Sequence, residues 1–148
     1  MADRPEFNEH QIEYFTAKNW GHLATIRKDG TPHVSPMWID WDGEFLVLNM
    51  ATDSVKYRQM LKDPRVTVEV SDHADPQLGY VEVTGTAEFV FEGADEHIDQ
   101  LANKYLGVDE YQWRGPDEVR VIMRVIPTRV FARGGAVGGP PRALASND

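Results

Sequence analysis

The chain has 148 residues, 41% hydrophobic and 26% charged, which describes one folded domain with enough apolar material for a core. A net charge of −9 argues against general nucleic-acid binding, which needs a basic field, and the lack of cysteine excludes disulfides, thiolate catalysis and Cys-based zinc sites. No apolar run reaches bilayer length and the acidic, polar start MADRPEFNEH is no secretory signal, so a cytoplasmic protein is expected.

Asn8 is placed to cap a helix running to about Lys18, with Ile12 and Phe15 on one face. Residues 22–28 read as a strand. The Asp29-Gly30 pair is a tight hairpin turn leading into a partner strand over Thr31–Asp40. Pro36 inside that strand points to an edge, a bulge, or a backbone facing a ligand. Asp42-Gly43 forms a second hairpin turn, and Glu44–Met50 (EFLVLNM) follows as a buried strand. A short helix spans Ser54–Lys62, capped by Asp53 or Ser54 and ended by Asp63-Pro64.

Arg65–Val70 alternates as a half-buried strand does. Leu78–Glu92 is a long β run in which Gly85 marks a bulge or bend. Gly93–Leu106 has helical spacing and Gly107 closes it. A final strand covers Glu118–Ala132. Residues 1–133 thus form the domain, and 134–148 (GGAVGGPPRALASND) read as a flexible Gly/Pro-rich tail. Six strands with small helices predict a mainly β protein, an antiparallel barrel whose closure removes exposed edges.

Chemistry-bearing patterns are few. The five histidines are widely spaced, and His73 in SDHAD lacks the oxygen spacing of a calcium loop, so no metal site is expected. There is no P-loop, GxGxxG or GxSxG. The remaining device for phosphate is a helix N-terminus with nearby cations: Thr52, Ser54, Lys56 and Arg58. A solvated surface helix accounts for the same residues. For a flat ring, Met37, Trp38 and Trp41 lie on or beside one strand, although core packing also uses such residues. Period-two alternation puts His33, Ser35 and Met37 on one side and Val34, Pro36 and Trp38 on the other. Trp113 lies in a loop where it covers a groove or simply packs.

GHLATIRKDGTPHVSPMW, the DGEFLVLNMATDSVKYRQMLKDPRVTVEV block and GYVEVTGTAEF together resemble the pyridoxamine 5'-phosphate oxidase-like split-barrel family. The likeness spans about residues 8–132 and is strongest to the branch of reductases that use coenzyme F420, a deazaflavin. It implies a six-stranded split barrel, FMN-binding split-barrel type, acting as a homodimer with the cofactor between subunits. It further implies that His33, Ser35, Pro36, Met37 and Trp38 lie along the ring. Asn49, Met50, Ser54, Val55, Lys56 and Arg58 would reach the ribityl chain and phosphate, with Tyr80 and Trp113 at the groove. Ser54 stands where FMN-using relatives often carry a second positive charge, so Lys56 is the main cation expected. The implied activity is hydride transfer from reduced F420 to an unsaturated small molecule. FMN is the alternative cofactor, a non-catalytic flavin or deazaflavin carrier the alternative role, and no catalytic residue is singled out.

Overall fold

The structure is a computed structural model that describes residues 3–137. Its elements in chain order are α1 (Glu9–Thr16), β1 (Trp20–Ile26), β2 (Pro32–Trp38), β3 (Asp40–Trp41), β4 (Leu46–Ala51), α2 (Val55–Lys62), β5 (Arg65–Ser71), β6 (Gly79–Val90), α3 (Ala94–Leu106) and β7 (Arg120–Gly134). Local chemistry fixes most boundaries. Asn8 and Gln11 form a reciprocal capping box on α1, with backbone–side-chain distances of 2.9 and 3.0 Å. Gly107 ends α3 in the left-handed conformation at φ 70°.

The strands form one sheet in the order β2-β1-β5-β6-β7-β4-β3, every pairing antiparallel. β2 and β3 stand at its opposite ends, yet only Ile39 separates them in the chain. The sheet must therefore curl until its edges meet, which makes a split barrel. The expected Thr31–Asp40 strand is divided at this point, so seven strands appear where six were expected. Pro36 lies on the edge strand β2, where its missing N–H breaks no ladder on the open side. Gly85 sits at the register shift between β6 and β7, where a Cβ would collide with the Ile126 carbonyl.

Leaving one edge for the other strips Ile39 of strand partners, and α3 replaces them. The Ile39 N–H donates to Tyr105 Oη at 3.1 Å, and the Ile39 carbonyl accepts from Lys104 Nζ at 2.7 Å. Lys104 Nζ also reaches the Phe15 carbonyl at the end of α1 (2.9 Å), and the Tyr105 hydroxyl donates to the Asn19 carbonyl. Burial pushes the Tyr105 pKa up to about 12.

Two apolar clusters result. The barrel interior holds Leu23, Leu48, Val68, Val83 and Met123, with Phe15 of α1 closing one end. A smaller cluster of Ile98, Leu101 and Tyr105 lies outside the barrel, between α3, Trp38 and Tyr111. Gly134 completes β7, and Gly135–Val137 forms one 3-10 turn with Ala136 buried. The rest of the expected tail lies outside the described residues. No helix among the described residues is long and apolar enough to cross a membrane.

Candidate functional site

A cavity of about 400 Å³ opens where β2 and β4 diverge, roofed by α3 and the loop that carries Tyr111 and Trp113. One wall is aromatic. Trp38 stacks on Tyr105 with centroids 5.3 Å apart and planes within 6°. Trp20 approaches Tyr105 at 5.7 Å, and Tyr111 bridges Trp38 (6.1 Å) and Trp113 (5.7 Å). Pro36, Met37, Ile98 and Leu101 extend this surface. Such a wall suits a flat ring, because it offers π faces and excludes water.

The other wall is polar and comes from the β4–α2 junction and the start of β7. Ser54 caps α2, its hydroxyl accepting from the Tyr57 N–H at 3.4 Å. Lys56, in the first turn, places Nζ 3.2 Å from Met37 Sδ. Burial, and then the positive charge of Arg120, hold the Lys56 pKa below its ordinary value. Arg120 is the second cation. It pairs with Ala51 across the β4–β7 ladder, two residues from the Asn49↔Ile122 pair, so it shares the outer face of the sheet with Asn49.

Buried hydrogen bonds fix this arrangement. Arg120 Nε donates to Asn49 Oδ1 at 2.9 Å. A guanidinium cannot accept, so the Asn49 amide nitrogen must face the other way. It donates to the Ala94 carbonyl (2.9 Å) and to His97 Nδ1 (3.1 Å). His97 Nδ1 is therefore an acceptor, and its proton resides on Nε2, which is buried without a partner. Burial is the largest influence on His97 and lowers its pKa; Asp40 and Asp42 oppose that shift, and Arg120 adds to it. Arg120 Nη1 donates to Glu118 Oε2 at 3.1 Å, and its guanidinium carbon lies 5.1 Å above the Tyr111 ring.

The structure gathers Pro36, Met37, Trp38, Asn49, Met50, Ser54, Lys56 and Trp113 around the cavity. It places the other expected residues elsewhere on this chain. His33 Nδ1 lies 3.0 Å from Gln59 Oε1. Ser35 pairs with Leu23 on the edge strand. Val55 is exposed, and Arg58 donates to the Asp53 carbonyl at 3.0 Å. On β6, Val81 and Val83 fill the core, so Tyr80 faces outward, where it packs on Phe131 at 6.1 Å. Arg120 lines the cavity together with Lys56 and was not among the expected residues. Its signal was period two on the last strand: with Val121, Met123 and Val125 inward, Arg120 must point away from the core. Asn49 and Arg120 are 71 residues apart, so spacing alone could not join them.

The chain is thus a split barrel with an aromatic and cationic cavity at its seam. The pyridoxamine 5'-phosphate oxidase family matches residues 7–133, and the chain belongs to that family. A solved F420 reductase is 36% identical, with a TM-score of 0.69 over 86% of this chain and 98% of that one. A 5a,11a-dehydrotetracycline/5a,11a-dehydrooxytetracycline reductase from Streptomyces rimosus is 28% identical over 109 residues, 69% of this chain and 77% of that protein. A conserved hypothetical protein of Mycobacterium tuberculosis shares the fold at 23% identity, with a TM-score of 0.65 over 99% of this chain and 97% of its own.

Proposed function

We propose that this protein is an oxidoreductase that holds coenzyme F420 in the seam cavity and serves hydride transfer to an unsaturated small molecule, such as a conjugated enone. The observation that carries the reading is the convergence of Lys56 and Arg120 on one aromatic-walled cavity. Burial first, and then the positive charge of Arg120, depress the Lys56 pKa, and an anion bound beside Lys56 would offset both effects on it. The donor set fits the cofactor: aromatic faces for the ring, and Ser54, Lys56 and Arg120 for a phosphate. The likeness to an F420 reductase and to a reductase of dehydrotetracyclines supports both the cofactor and the class of acceptor.

When bound, the deazaflavin would supply the hydride. The chain supplies orientation, exclusion of water and the phosphate anchor. Among the described residues, no carboxylate or imidazole lines the cavity, so no catalytic acid is assigned. We further propose that a second copy of the chain completes the cavity. Trp113 beside it is 63% exposed, and Val34 on the edge strand β2 is 59% exposed, more than a finished site would leave open.

Fluorescence titration of the purified protein with F420 and with FMN tests the reading. F420 should bind in the micromolar range and more tightly than FMN. Tighter FMN binding would transfer the site to a flavin enzyme, and binding of neither would end the oxidoreductase reading. Sedimentation should give a dimer; a monomer that binds cofactor fully would remove the second copy from the site.

A further inference from the structure

The two cavity cations are not equivalent. Arg120 carries its own counter-charge in Glu118, the pair meeting at 3.1 Å with side chains only 7% and 16% exposed. Lys56 has no carboxylate partner among the described residues. Lys56 and Arg120 are also the only charged residues that line the cavity among those described. Nearby charges are engaged elsewhere: Arg114 with Asp95 and Asp99, and Lys104 with Asp40. Within one copy of the chain, two cations and one carboxylate leave a single uncompensated positive charge at the polar wall.

We propose that Glu118 is a specificity-determining residue that matches the cavity to a singly charged phosphate diester and sets it against a doubly charged phosphate monoester. The proposal rests on the flavin-type reading of the cavity and names the form of phosphate it takes. A phosphate monoester loses its second proton near pH of about 6, so it carries nearly two charges at neutrality, whereas a diester carries one. The second charge would enter a partly desolvated site with no cation left to meet it and with Glu118 behind the guanidinium. Charge that leaves water unpaired is strongly disfavoured. FMN is a monoester, and the side chain of F420 continues through a diester. Glu118 therefore supplies a physical basis for preferring F420 that does not depend on the ring.

The test uses ligands that differ only at phosphate: the 5'-phosphates of riboflavin and of 8-hydroxy-5-deazariboflavin, each as free monoester and as methyl ester. Dissociation constants come from ring fluorescence. The wild-type protein should bind each methyl ester about tenfold more tightly than its monoester, as one unmatched charge in a partly buried site requires. Glu118→Gln should abolish or reverse that gap on both rings. Equal or tighter monoester binding by the wild type, or an unchanged gap in a Glu118→Gln protein that melts normally, overturns the inference. Should Glu118→Gln fail to fold, the wild type decides: its gap should close between about pH 8 and about pH 5.5 as the monoester takes up its proton, and a constant gap overturns the inference. Binding without discrimination defeats this inference alone. Failure of the wild type to bind any of the four defeats the flavin-type reading and this inference with it.

Discussion

Arg120 Nε lies 2.9 Å from Asn49 Oδ1, and this bond between the first residue of β7 and the middle of β4 orients the whole polar wall. Asn49 is 4% exposed and satisfies three partners at once: Arg120, the Ala94 carbonyl and His97. It joins barrel, α3 and cavity through one amide. Asn49→Leu should lower unfolding stability by about 1–3 kcal/mol for each buried group left unpaired. Urea denaturation measures this, and a loss below about 0.5 kcal/mol would mean the network does not hold the fold.

Removing the Arg120 charge should free Lys56 electrostatically. In Arg120→Met the Lys56 pKa should move up toward its ordinary value, although burial, the larger influence, will keep it depressed. Heteronuclear NMR of lysine Nζ follows this titration. An unmoved Lys56 resonance would show that the two cations do not sense each other.

The hydroxyl of Tyr105 makes a prediction at alkaline pH. Its folded pKa, about 12, lies above its ordinary value of 10.0 because burial opposes the phenolate. The unfolded chain therefore loses this proton first. The stabilising contribution is complete below pH 10.0 and is lost as pH rises toward about 12. It amounts to about 2–3 kcal/mol at most. Denaturation at stepped pH should show this slope in the wild type, and Tyr105→Phe should flatten it. Tyr105→Phe should also cost stability at neutral pH, since it strips the crossover residue Ile39 of its N–H acceptor.

Gly85 tests the barrel's curvature. A Cβ there collides with the backbone carbonyl of Ile126, which cannot swing aside as a side chain could. Gly85→Ala should destabilise by about 1–3 kcal/mol, the usual scale of overpacking, and lower the melting temperature. A neutral substitution would mean that β6 and β7 can slide past the bulge.

Much of the fold was legible because its signals are local. The Asp-Gly turns at 29–30 and 42–43, the Ser54 cap and the Gly85 bulge each follow from the chemistry of a few consecutive residues. The break at Ile39 was not legible. It exists because the curled sheet must hand the chain from one edge to the other, and its cost is met by Lys104 and Tyr105 of α3, some 65 residues away. The site divides in the same way. The strand at 36–38 and the β4–α2 junction are contiguous in sequence, so a local pattern could point to them, and both line the cavity. Arg120 reaches the cavity only through strand pairing, and His97 and Glu118 stand behind it as partners of Asn49 and Arg120. Arg58, expected at the phosphate by proximity to Lys56, donates to the Asp53 carbonyl at its own helix start.

The central claim is that the seam cavity holds a phosphorylated deazaflavin anchored by Lys56. Its most direct test is the dissociation constant of F420 for wild type and for Lys56→Ala, measured by fluorescence titration. The account predicts micromolar binding by the wild type and a loss of about 1.5–3 kcal/mol in the variant, the scale of a charge-assisted hydrogen bond. Equal affinity in a normally folded Lys56→Ala protein, or no binding by the wild type, would contradict it.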